Sequence, residues 1–177
     1  MAILDLHLLG SPVLRQRSDE VPAVTADTRR FIADLFETMD TAKGVGLAAN
    51  QVGVAQRIAV VGVEQERLAL INPVILNVEG LAREEEGCLS VPDVYGEVER
   101  PERIVLELTG ADGQRYRRDA SGLLARAIQH EIDHLDGILF LDHLSALKRQ
   151  LLLARYRKEH RGEGLIKSLR PEPVRPR

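Results

Sequence analysis

Gln129-His130-Glu131-Ile132-Asp133-His134-Leu135-Asp136-Gly137 says more about this 177-residue chain than any other stretch. Read backward to about Ser121, it continues a helical pattern, and Gly137 supplies the stop. Histidines four apart on a helix leave one face about a turn apart, so His130 and His134 can hold one metal ion between them. Glu131 beside the first is placed to take a proton from water at such a site. At about 100° per residue, Leu123, Ala127, His130 and His134 share one face, and Leu124, Ile128, Ile132 and Leu135 form an adjacent apolar stripe. The same wheel sends Arg126, Gln129 and Asp133 toward solvent.

Two histidines need a third protein ligand. The position six residues after His134 is Phe140, which cannot ligate. Glu159 lies at the distance where one class of zinc protease places an acid, but in a heavily basic segment. Asp142 and His143 follow a helix break. The remaining candidate is Cys88, the single cysteine, whose thiolate suits a divalent transition metal. A lone cysteine also fits as a small buried hydrophobe. Here it follows Gly87 in the polar run Glu84-Glu85-Glu86-Gly87-Cys88-Leu89-Ser90, where the backbone can approach a ligand closely.

Outward from these residues the chain alternates short β-branched runs with a few helices. Thr25–Lys43 predicts a first helix, with Ile32, Leu35, Phe36 and Met39 on one stripe and Gly44 as its stop. A loop follows over Gly44–Gly53. Arg57–Val63 and Leu68–Ile75 read as strands, as do Ile104–Leu108 and Arg115–Arg118 around the turn dipeptide Asp112-Gly113. Met1–Gly10 reads as an early strand, and Ser145–His160 as a third helix. No βαβ alternation appears, which predicts an α+β domain of mixed or antiparallel short strands packed around the central helix.

Composition agrees with one compact domain: 44% hydrophobic and 29% charged residues exclude a disordered chain, and one cysteine excludes an intrachain disulfide. The longest apolar runs, such as Ile58–Val63, fall far short of the ~18 residues a membrane span requires. The start carries Asp5 and His7 and lacks the pattern of a signal or transit peptide, so the expected location is the cytoplasm, away from membranes. Charge is divided unevenly. Lys148–Arg177 holds ten Lys/Arg against three Asp/Glu, while the preceding residues are net acidic. That division sets a catalytic body over residues 1–147 apart from a basic C-terminal helix and tail over 148–177. A basic tail suits an anionic partner such as ribosomal RNA, and equally a solvated helix face. Three prolines between Arg170 and Arg177 predict an unstructured end.

Three segments together resemble the peptide deformylase family: Gly44-Val-Gly-Leu-Ala-Ala-Asn-Gln51, Glu86-Gly-Cys-Leu-Ser90 and Gln129–Gly137. The likeness extends to the first helix and to Leu70-Ile-Asn-Pro73. The resemblance implies that Cys88, His130 and His134 hold the metal, Fe(II) in type with Zn, Ni or Co as substitutes. It implies Glu131 as general base and acid, with the Gln51 side-chain amide and the Leu89 backbone N–H as oxyanion donors. Val45, Gly46 and Gly87 would offer backbone groups to a peptide docked as an added strand, and Leu123, Ala127 and Val45 would line a methionine pocket or simply pack in the core. The implied substrate is the N-formyl-methionyl nascent peptide, and the basic C-terminal helix would be a ribosome contact. Tyr95 lies near the implied cleft without an assigned role.

Overall fold

The computed structural model describes residues 2–171, so the Pro-rich end beyond Pro171 lies outside the described residues. Elements follow in the order β1 (Leu6–His7), α1 (Ala26–Thr41), β2 (Gly46–Ala48), β3 (Ile58–Val63), β4 (Glu66–Glu79), β5 (Ala82–Cys88), β6 (Val91–Arg100), β7 (Arg103–Thr109), β8 (Arg115–Ser121), α2 (Gly122–Leu135), α3 (Ala146–Glu159) and β9 (Ile166–Lys167). Short 3₁₀ turns cover Pro12–Arg15, Ala49–Val52 and Phe140–His143. This is the α+β arrangement read from the pattern, with antiparallel strands gathered around the helix that carries the two histidines.

A five-stranded antiparallel sheet in the order β2-β3-β4-β7-β8 forms the main wall. β3 explains why its run is almost continuously apolar. Ala59, Val61 and Val63 pack with Ile128, Ile132 and Leu135 of α2, while Ile58 and Val60 pack with Ile32, Leu35 and Met39 of α1. A strand covered on both faces has no solvent side to alternate toward. Thr25 caps α1 by accepting from the Thr28 N–H at 3.2 Å, and Thr28 returns the bond. The helix stops two residues before the predicted end because Lys43 turns left-handed at φ 57°, and the Gly44 N–H closes onto the Met39 carbonyl.

Two departures from the sequence reading position the site. Residues 82–100 form a hairpin, β5–β6, where no strand was predicted, and Gly46–Ala48 within the expected loop is the edge strand of the main sheet. The hairpin closes over α2 from the side opposite the main sheet, which corrects the wheel. Arg126 and Gln129 are buried and Asp133 is partly buried, because protein lies on both flanks of the helix. The early strand shrinks to two residues, Leu6 and His7, paired with the unforeseen β9. Among the described residues no helix is long and apolar enough to cross a membrane.

Candidate active site and metal centre

One turn of α2 brings His130 and His134 together, Nε2 to Nε2 at 3.1 Å, and β5 delivers Cys88 with Sγ 3.3 Å from His134 Nε2. The three donor atoms lie within 4.8 Å of one another. Bonds of about 2.0–2.3 Å to a tetrahedral ion place its ligands roughly 3.3–3.8 Å apart, so this donor set fits a transition metal. The other candidates are engaged elsewhere: Asp142 with Arg15, His143 with Asp133 and Glu159 with Arg155. Phe140 stacks near His130 with ring centroids 6.3 Å apart. A bulge between Gly87 and Cys88 turns the cysteine out of the ladder. A side chain at Gly87 would put its Cβ 2.7 Å from the Tyr95 ring, which accounts for glycine there.

Behind the trio runs a buried polar network that the sequence did not disclose. His130 Nδ1 bonds Glu86 at 2.9 Å, which leaves Nε2 to face Cys88 and His134. Glu86 also receives two bonds from Arg100, at 2.5 and 2.9 Å, and one from Arg126 at 2.6 Å. Arg100 continues to Asp133 at 2.8 Å, which meets His143 at 2.8 Å. Burial alone would raise the Glu86 carboxyl, but His130 and Arg100 more than offset it and hold the group well below the usual range. Burial likewise opposes charge on His130, and bonds to Cys88 and Glu86 lift that ring instead. His134 has no such carboxylate, and burial together with the charge of His130 keeps it low. Three successive acids, Glu84–Glu86, concealed which one turns inward. Only the hairpin register, with Ala82 opposite Arg100, brings Glu86 to its guanidinium.

Glu131 is buried, with one carboxyl oxygen lacking a protein partner, and burial pushes its pKa up to about 7. Gly46 packs directly on it: a Cβ there would stand 2.8 Å from the Glu131 Cδ. Gln51 is held in one orientation. Its Oε1 accepts from the Ala48 N–H at 2.9 Å, so Nε2 points toward Ser90 Oγ at 3.1 Å and Cys88 Sγ at 3.7 Å. Asn50 donates to the His134 carbonyl at 2.5 Å, tying this 3₁₀ turn to the end of α2. A cleft of about 590 Å³ opens over these groups. Val45, Gly46, Gln51, Gly87, Cys88, Leu89, Tyr95, Leu123, Ala127, His130 and Glu131 all border it, and His134 lies beneath. Val45, Leu123 and Tyr95 are exposed at its mouth, whereas Ala127 is buried in its floor. The arrangement offers a metal seat, a proton-accepting carboxyl and an amide donor at one end of an open, partly apolar groove.

The family description Polypeptide deformylase matches residues 3–150. The peptide deformylase of Agrobacterium fabrum is 45% identical over 169 residues, covering 92% of this chain and 99% of that protein. That of Rhizobium meliloti is 46% identical, covering 93% and 98%. Among solved structures, the Ehrlichia chaffeensis peptide deformylase in complex with actinonin superposes with a TM-score of 0.87 at 37% identity, covering 91% of this chain and 99% of that one. A Legionella pneumophila peptide deformylase gives 0.86 at 38% identity, covering 90% and 96%. Matched along nearly its whole length in both sequence and fold, this chain belongs to the polypeptide deformylase family.

Proposed function

We propose that the chain hydrolyses the N-formyl group of N-terminal formyl-methionine on newly synthesised polypeptides, releasing formate and a free amine. The observation that carries this reading is the Cys88–His130–His134 trio at the same cleft as the unpartnered oxygen of Glu131. What a divalent ion supplies there is Lewis-acid polarisation of a carbonyl and activation of water. We assign Fe(II), with Zn, Ni or Co able to replace it. An iron–thiolate site is open to oxidation, so the iron form loses activity in air and the nickel form keeps it.

The protein's own groups divide the rest of the work. Glu131 takes a proton as water adds to the formyl carbon, and returns it to the departing nitrogen as the C–N bond breaks. Burial favours the protonated form of this carboxyl, which helps it hold the proton between the two halves of that exchange. Gln51 Nε2 and the Leu89 backbone N–H hold the charge that develops on the carbonyl oxygen. The peptide lies as an added strand against backbone groups of Val45, Gly46 and Gly87, and its methionine enters between Leu123, Ala127 and Val45. The catalytic groups named here all lie in the body up to residue 147, and the reaction takes place in the cytoplasm. The basic α3, with Lys148, Arg149, Arg155, Arg157 and Lys158 beside the exposed Leu147 and Leu151, is the surface that meets the ribosome. Charge reversal at Lys148 and Arg149 should abolish salt-sensitive co-sedimentation with ribosomes, and unaltered binding would remove this assignment.

Anaerobic formate release from a formyl-Met-Ala peptide, with metal analysis on the same sample, tests the chemistry. Glu131→Gln is expected to keep the metal and lose about a thousandfold or more in rate. Cys88→Ala is expected to lose the metal itself. A Cys88→Ala protein that binds metal normally would point instead to a general His-Glu-x-x-His endopeptidase with another third ligand.

A further inference from the structure

Beyond α3 the chain turns back toward the catalytic body. Gly162 adopts φ 82° and the Glu163 N–H closes onto the His160 carbonyl. His160 stacks on Tyr156 with ring centroids 4.3 Å apart and bonds Glu163 through Nδ1 at 2.7 Å, while its Nε2 stands 3.6 Å from Asp93. From there an arm runs along the N-terminal strand. The Leu8 N–H donates to the Leu165 carbonyl at 2.8 Å, Lys167 pairs with Leu6 and Ile166 with His7, and Arg170 Nε reaches the Ile3 carbonyl at 3.3 Å. Leu169 packs on the cluster that holds Leu6 and Leu47, and Leu89 packs on the same cluster. The arm is thus anchored at both ends and in the middle.

Its position matters because Lys167 and Leu169 border the same cleft as Gln51, Cys88 and Glu131. The family match ends at residue 150, before the arm begins. We infer that residues 165–169 are a working wall of the substrate site, and that Lys167 selects for an acidic side chain downstream of formyl-methionine. This rests on reading the cleft as the seat of the formylated peptide. An extended peptide rises about 3.3 Å per residue, so its third and fourth residues lie roughly 7–10 Å beyond the methionine, toward the open part of the groove. Lys167 is exposed, and among the described residues it takes part in no ion pair, since the arm's neighbours Glu163 and Asp93 both face His160. Lys43 adds a second cation to the rim, while Glu85 and Asp93 of the β5–β6 hairpin also border the cleft and disfavour acid. Successive side chains of a strand point to opposite sides, so each peptide position meets a different part of this rim. The preference is therefore specific to position rather than a general attraction of anions.

Formate release by the full chain and by Lys167→Glu tests the inference, using formyl-Met-Ala-Xaa-Ser and formyl-Met-Ala-Ser-Xaa amides with Xaa either Glu or Lys. The reference substrate is formyl-Met-Ala amide. Reversing the charge should lower the Glu-to-Lys ratio of kcat/KM by about fivefold to tenfold at one of the two positions. The change should sit in KM and fade at about 1 M salt. Lys167→Ala should give an intermediate ratio, and turnover of the reference amide should stay within about twofold. An unchanged ratio at both positions overturns the inference, as does an equal loss on every substrate, which would make the arm a structural brace only. Failure of the unaltered enzyme to release formate from the reference amide would instead overturn the reading of the cleft.

Discussion

Helices α2 and α3 each span fourteen residues, and they meet opposite fates. Nine residues of α2 are buried, including Arg126, Gln129, Glu131 and His134, whereas Tyr156 alone is buried in α3. The difference lies in what the rest of the chain brings to each helix. Glu86 and Arg100 of the hairpin reach α2 across the fold, and the carbonyls of Ala82, Val98 and Pro101 take its remaining donors. The Arg155–Glu159 pair of α3, at 2.8 Å, is a local contact one turn apart along an exposed face. Charge within a helix is therefore structural where distant strands complete it, and a surface property where only the next turn does.

The largest expected effect separates these two kinds of charge. Arg100→Met leaves Glu86 buried against only Arg126 and His130, and strips Asp133 of its buried partner. Removing one member of a buried ionic network costs about 3–5 kcal/mol. Arg155→Met on α3 should cost less than about 0.5 kcal/mol, as exposed i,i+4 pairs do. Urea denaturation of both variants checks the contrast, and equal midpoints would break it.

A smaller effect tests the polar interior through pH. The folded state raises the Glu131 pKa from 4.5 to about 7, so it binds that proton more tightly than the unfolded chain does. Ionising Glu131 then costs stability as pH rises from 4.5 through 7, by a few kcal/mol at most. In the metal-free protein, Glu131→Gln should accordingly raise Tm above pH 7 by several degrees, with the gain disappearing below about pH 4.5. Glu86 has the opposite sign, because its folded pKa is depressed: its contribution is present above about pH 4.5 and is lost as pH falls further. Thermal melts across about pH 2–8 read both trends. A Glu131→Gln protein less stable than its parent at pH 8 would show that the carboxylate is satisfied by something other than burial allows.

The same contrast explains what could be read in the sequence. Helix α2, its stop at Gly137 and the His130–His134 face follow from local periodicity, and so do α1, β3 and the Asp112-Gly113 hairpin, whose Gly113 sits at φ 80°. Ligand chemistry made Cys88 a candidate for the third donor beside the reading as a small buried hydrophobe, and the resemblance to the deformylase motifs is what implied the ligand. The β5–β6 hairpin did not emerge, because Arg83, Glu84, Glu85, Glu97 and Glu99 make it look like a polar loop while its apolar face is carried by Val91, Val94 and Val98. Arg126 and Gln129 were sent to solvent because a wheel carries no knowledge of a second sheet. Glu86, Arg100, Ser90 and Asn50 matter through partners 14 to 84 positions away, which no local pattern reports.

The smallest effect concerns the apolar residues of α3. Leu147 and Leu151 are 68% and 63% exposed, and they share the helix with five cations. Leu→Ala at either should change the stability of the isolated protein by no more than about 0.5 kcal/mol, because most of each side chain already faces solvent and alanine favours helix. Leu135→Ala in α2, where the side chain is fully buried, should cost about 2–5 kcal/mol. Tyr156→Ala belongs with the second group, since it removes the anchor that stacks on His160 and meets β6. If Leu151→Ala proved as costly as Leu135→Ala, α3 would be packed against protein in solution and could not present a free basic face. If it is nearly neutral, those leucines contribute to nothing within the fold, and any constraint on them comes from what the helix meets outside it.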